Sequence, residues 1–143
     1  MKGYKKTSLI PEMVKEPTRI TNSDGAAKIV KELIGDKIKE KEHFCIVTLD
    51  GASHIIRAEV IHIGTLNQSL VHPRDVFRPA LIDNSAGIII AHNHPSGTLE
   101  ASRADLQITQ RLKEAGKIIG IEILDHIIVS EDGHYSMQEA DEL

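Results

Sequence analysis

At 143 residues, 41% hydrophobic and 27% charged, the chain has the length of one domain and enough apolar residues to bury a core unaided. Its single cysteine, Cys45, excludes a disulfide framework and any multi-cysteine metal cage within one chain. The net charge of −4 is unevenly spread: residues 1–42 hold ten Lys/Arg against seven Asp/Glu, and residues 43–143 hold seven against fourteen.

An acidic main body disfavours nucleic acid as a direct ligand, because phosphate neutralisation supplies most of that affinity. Two Tyr, two Phe and no Trp make a thin platform for base stacking. The opening MKGYKKTSLIPEMVKEP has no apolar stretch of a secretory leader, and no run approaches the roughly 20 residues of a membrane span. The expected setting is the reducing cytoplasm.

Residues 1–22 mix Lys, Pro and polar residues and read as an N-terminal arm, with Pro11 and Pro17 opposing helix at the residues before them. The main domain is expected over 23–143. Ser23 is placed as the cap of a helix running to about Ile38, with Ala26, Ile29, Val30, Leu33 and Ile34 on one face. Two β-branched runs follow, HFCIVTLD (43–50) and HIIRAEVIHIG (54–64), joined at Asp50-Gly51, a hairpin signal. Pro73 suits a first helical position, and Val76, Phe77, Ala80 and Leu81 give that helix an apolar face ending near Asn84.

Gly87–Ala91, GIIIA, is an unbroken apolar run that fits a central strand covered on both faces. Ser102 caps the next helix, whose stripe is Ala104, Ile108, Leu112 and Ala115 and whose end is placed at Gly116. IEILDHIIVS (121–130) is a last long strand, and Asp132-Gly133 turns into HYSM. This order predicts an α/β fold: a mixed sheet layered with about three helices. The exposed edges of such a sheet are where a homodimer would pair.

The chemistry concentrates in Ala91-His92-Asn93-His94-Pro95-Ser96-Gly97, followed by Ser102 and Asp105. Two imidazoles just beyond a buried strand, and a carboxylate in the first turn of the next helix, match a catalytic zinc site with its fourth position open. The donor set alone admits copper or nickel, while availability and tetrahedral N₂O geometry favour zinc. Each part has a plainer explanation, since Ser102 and Asp105 are ordinary helix-capping residues. The joint pattern decides. With this composition an H-x-H pair arises by chance about one time in three, but H-x-H-x₇-S-x₂-D in only roughly 2 of 1,000 chains.

That pattern resembles the JAMM (MPN+) metalloprotease signature. The wider text, GTLNQSLVHPRDVFRPALIDNSAGIIIAHNHPSG followed by LDHIIVS, resembles the RadC family within that superfamily, over about residues 23–137. The resemblance implies a JAB/MPN fold, related in outline to the cytidine deaminases, with His92, His94 and Asp105 as zinc ligands. The loop reads HPSGTLEAS where RadC proteins usually read HPSGDPTPS, which leaves every ligand position intact. Full-length RadC proteins carry an upstream helix-hairpin-helix domain that these 143 residues do not include, so DNA association resting on it is not expected here.

Hydrolysis also needs a carboxylate to move the proton. Glu42, Glu59, Glu100 and Glu122 qualify by type, and the resemblance selects Glu42 as general base. It also makes Ser102 the donor to the oxyanion. The implied activity is zinc-dependent cleavage of a peptide or isopeptide bond in a peptide or protein. The alternative is a non-catalytic interaction module or DNA-repair accessory, as the family's naming implies. Cys45 lies mid-strand and is expected in the core, Ser96 lacks a nucleophile's G-x-S-x-G frame, and His72, His126 and His134 are candidates to orient the ligands. The deaminase signature H-x-E…P-C-x-x-C is absent, which excludes deamination.

Overall fold

The computed structural model describes residues 8–9 and 19–143. In chain order the elements are β1 (Ser8–Leu9), α1 (Ser23–Ile34), a 3₁₀ turn (Gly35–Lys39), β2 (His43–Leu49), β3 (Ile55–Ile63), α2 (Pro73–Ile82), β4 (Gly87–Asn93), α3 (Arg103–Ile119), β5 (Glu122–Val129) and β6 (His134–Ser136). The strands form one sheet in the order β1-β3-β2-β4-β5-β6. Neighbours pair antiparallel except β4 and β5, which are parallel and linked by the α3 crossover. The α/β layering expected from sequence is observed. Most of the arm expected over residues 1–22 lies outside the described residues, but Ser8–Leu9 pairs with Glu59 and Ala58 of β3, and Arg19 bridges His54.

Every residue of β2 and of β4 is buried, because helices cover both faces of the sheet. Side chains alternate across a strand, so the two faces separate cleanly. Cys45, Val47, Leu49, Ile89 and Ala91 pack against Ala26, Ala27, Val30 and Ile34 of α1. Phe44, Ile46, Ile88 and Ile90 pack against Val76 and Phe77 of α2 and Ile108 and Leu112 of α3. This two-sided burial explains why β4 reads as a continuous apolar run. It also sends successive residues at the end of β4 into different layers, which decides the site.

Four local expectations are corrected. The cap of α1 is Asn22 instead of Ser23: Asn22 Oδ1 accepts from the backbone N–H groups of Asp24 (3.0 Å) and Gly25 (3.4 Å). Both residue types cap well, but the Ser23 side chain is turned inward to His134 Nε2, 3.1 Å away. That helix stops at Gly35, whose φ of +69° only glycine adopts easily, and Ile38 reaches the core from the 3₁₀ turn. Leu81 lies exposed on α2, off the face made by Val76, Phe77 and Ala80.

The last correction concerns Gly116, which sits inside α3; the helix ends at Gly120 in the left-handed region, with φ +88°. A Cβ on Gly116 would lie 2.4 Å from the carbonyl oxygen of Ile121. Glycine is there so that the lead-in to β5 can press against the helix. Ordinarily Gly→Ala in a helix interior stabilises by about 1 kcal/mol. Here Gly116→Ala is expected to destabilise by roughly 1–3 kcal/mol, the range for forced overpacking, and denaturant unfolding of the two proteins checks the sign.

Candidate metal centre

The end of β4 divides its polar residues between the two layers. His92 continues the face of Ile88 and Ile90 toward α3, while Asn93 continues the face of Ile89 and Ala91 toward α1. His92 is 1% exposed, its ring stacked on Phe44 of β2 at a 6.4 Å centroid distance and a 9° interplanar angle. His94 lies one residue past the strand, held by its N–H to the carbonyl of Val129 (3.1 Å). Asp105 enters from the first turn of α3.

The three side chains meet. Nε2 of His92 and of His94 are 3.0 Å apart, the first 3.1 Å from Asp105 Oδ1 and the second 3.1 Å from Asp105 Oδ2. Among the described residues they form a cluster able to hold a metal ion. Donors about 2.0–2.1 Å from a tetrahedral zinc would be roughly 3.3 Å from one another, so the observed spacings suit one small cation.

Proton bookkeeping supports the same use. His94 Nδ1 lies 2.8 Å from the carbonyl of Thr98, which only accepts, so the proton is on Nδ1 and Nε2 offers its lone pair. His92 Nδ1 is 2.8 Å from His126 Nε2, so its outward Nε2 likewise faces Asp105 and His94. Two ring nitrogens and a carboxylate converge on one point, an arrangement that could hold a cation between them. The bond to Asp105 raises the His94 imidazole above its usual value, against burial. Burial pushes the Asp105 carboxyl up, but its bonds with both imidazoles outweigh this and hold it well below the usual carboxylate range. His126 is driven well below its usual value by burial and by the neighbouring His92.

Glu42 shares a cleft of about 450 Å³ with His94, bounded by Glu40–Glu42, Gly64–Thr65 and His94–Ser96. Its backbone is pinned on both sides. The Asn93 side-chain amide donates to the carbonyls of Ile38 (2.7 Å) and Lys41 (2.8 Å), and its oxygen accepts from the N–H of His43 (2.7 Å). The Glu42 carbonyl accepts from Gly64 N–H at 2.9 Å. The residue between the two histidines therefore fixes the segment that presents Glu42, and a sequence reading passes over it. The other carboxylates lie elsewhere. Glu59 pairs with Arg57 (3.4 Å), Glu100 is exposed in the loop, and Glu122 is exposed at the far end of the sheet, in register with Gly87.

Ser102 caps α3 reciprocally with Asp105: its Oγ accepts from Asp105 N–H (3.0 Å), and its own N–H donates to Asp105 Oδ2 (2.8 Å). A hydroxyl that accepts at its lone pair keeps its proton to donate, so capping and catalysis are compatible on one atom. Of the three histidines considered for orienting the ligands, only His126 touches one. His134 sits at the start of α1, 3.2 Å from Asp24 Oδ1, and His72 precedes α2 without a capping bond. Cys45 is fully buried and its thiol is pushed up by burial, so it is a core residue; Ser96 is spent on a loop bond to Thr98 Oγ1 (3.2 Å).

A mixed sheet sandwiched by helices, with a His-His-Asp donor set at the carboxyl end of its central strand, defines an α/β domain of the JAB/MPN class. The family described as the RadC-like JAB domain matches residues 20–142, and the chain belongs to it. A UPF0758 protein from Rubrobacter xylanophilus is 53% identical over 100 residues, covering 70% of this chain and 44% of the relative. One from Methanospirillum hungatei is 52% identical over 116 residues (80% and 50%), and one from Thermotoga maritima is 39% identical over 132 (92% and 58%). The chain thus spans about half the length of these relatives, whose names state no activity. Among the described residues no helix is long and apolar enough to cross a membrane.

Proposed function

We propose that the domain is a zinc-dependent hydrolase of the JAMM type that cleaves a peptide or isopeptide bond. The observation that carries this is the convergence of two imidazole Nε2 atoms and one carboxylate beside a cleft that Glu42 shares. His92, His94 and Asp105 would hold the ion, which when bound supplies Lewis acidity toward a scissile carbonyl and lowers the pKa of water.

The chain's own groups do the rest. Glu42 takes the proton of the attacking water and returns it to the leaving amine, and Ser102 Oγ–H donates to the oxygen that becomes negative. The acidic balance of residues 43–143 favours a protein over a nucleic acid as substrate. A retained, pre-oriented ligand set argues against a purely structural module, which has no use for one.

Metal analysis of the purified protein, followed by digestion of a tagged peptide library with and without chelator, tests this. About one zinc per chain and cleavage abolished by chelator and restored by zinc are expected. Chelator-indifferent cleavage, or no zinc uptake, overturns it. Ser102→Ala is expected to lose about 10²–10³-fold in turnover and about 1 kcal/mol of stability, with zinc retained. Turnover kinetics and a melting curve on the same sample separate the two effects.

A further inference from the structure

His92 binds a cation only while the proton of its neutral ring sits on Nδ1. What fixes the proton there lies deeper in the core. Thr109 Oγ1 is 2.7 Å from the backbone carbonyl of Asp105, one turn earlier on α3. A carbonyl only accepts, so a hydroxyl proton engaged by it leaves the oxygen's lone pair facing His126 Nδ1. His126 is 0% exposed, and a fully buried imidazole with neutral partners carries a single proton. That proton is on Nδ1, so His126 Nε2 accepts from His92 Nδ1–H, 2.8 Å away. The links hold as long as the Thr109 proton stays directed at the Asp105 carbonyl, which cannot reverse its role.

A competing arrangement exists within the same side chains. With the proton of His126 on Nε2, His92 must accept at Nδ1 and carry its proton on Nε2. Asp105 Oδ1 waits 3.1 Å from that atom to receive it. This second pattern is hydrogen-bonded throughout the ligand cluster, yet it blocks the atom a metal needs. The Thr109 hydroxyl is what separates the two: engaged with the Asp105 carbonyl, it is, among the described residues, the acceptor for His126 Nδ1–H, and the Met137 sulfur, 3.7 Å from that hydroxyl, is a weak substitute.

Resting on the metal reading above, we infer that Thr109 and His126 are positioning residues that preset His92 in its metal-binding tautomer. Neither touches the ion. Partners of this outer kind typically change metal affinity by about 10–100-fold.

The test measures zinc affinity by competition with a chromophoric chelator for the wild type, Thr109→Ser and Thr109→Val. Nitrogen-15 NMR of histidine-labelled, metal-free protein reads where the ring protons sit. Thr109→Ser keeps the hydroxyl and is expected to bind zinc like the wild type. Thr109→Val, close to it in shape, is expected to bind about 10–100-fold more weakly, with the His92 proton moved to Nε2. Equal zinc affinity in the Val variant, or a wild-type His126 carrying its proton on Nε2, overturns the inference. The wild-type spectrum decides even where the Val variant does not fold. A wild type that takes up no zinc refutes the metal reading, while the proton positions still judge the relay by themselves.

Discussion

Glu42→Gln is expected to leave zinc stoichiometry unchanged and to lower amide hydrolysis by about 10²–10⁴-fold, the usual contribution of a positioned general base. Glutamine matches glutamate in shape, and the bonds that fix this position belong to the backbone and to Asn93, so the cleft persists. What disappears is the basic carboxylate that shares the cleft with His94 and is not itself a ligand candidate. Glu40 borders the same cleft but is exposed and paired with Lys37 (3.5 Å), Glu59 is engaged by Arg57, and Glu100 and Glu122 face solvent. The measurement is the turnover of a library-derived peptide alongside metal analysis on the same preparation. Full turnover in the Gln variant removes Glu42 from the mechanism, and loss of zinc would make it a ligand instead.

A companion variant separates the carboxylate from its support. Asn93→Ala removes three hydrogen bonds that tie the Ile38–His43 segment to β4, while His92 and His94 keep their own contacts. The Lys41 carbonyl keeps its bond to His43 Nδ1 (2.8 Å), while the Ile38 carbonyl loses the Asn93 amide, at a cost of about 1–3 kcal/mol if it stays buried without a partner. Turnover is expected to fall with zinc still bound, because Glu42 is then loosely held. Exchange rates of the His43 amide should rise in parallel, a change that Glu42→Gln does not produce.

The two variants mark the boundary of what the sequence discloses. The metal ligands are legible because their chemistry is written in residue type and spacing, and because β4 is an apolar run that ends abruptly in polar residues. The layered fold is legible for a related reason: two-sided burial of β4 leaves no alternation to misread. Asn93 and Thr109 are not legible in this way. Asn93 works on backbone carbonyls more than fifty positions upstream, and Thr109 acts through an oxygen lone pair whose direction depends on where Asp105 and His126 meet. Gly116 misleads for a third reason. Its need for glycine comes from the Ile121 carbonyl across a helix–strand contact, which mimics the local signal of a helix end.

The second large effect is expected from Asp105→Asn, because Asp105 does two jobs that this change divides. As the third residue of α3 it accepts from Ser102 N–H, and an asparagine oxygen can still do so. As a ligand it contributes the one negative charge of the donor set, and its replacement brings an NH₂ group to a place where lone pairs converge. Zinc affinity is expected to fall by more than the 10–100-fold typical of an outer partner, while the metal-free protein keeps most of its stability. Melting with added zinc reads this directly. A ligand at 100 times its dissociation constant stabilises the folded state by about 2.7 kcal/mol. Zinc should therefore raise the melting temperature of the wild type and of Ser102→Ala, and leave that of Asp105→Asn where it was. Equal shifts in all three proteins would mean that the ion binds elsewhere.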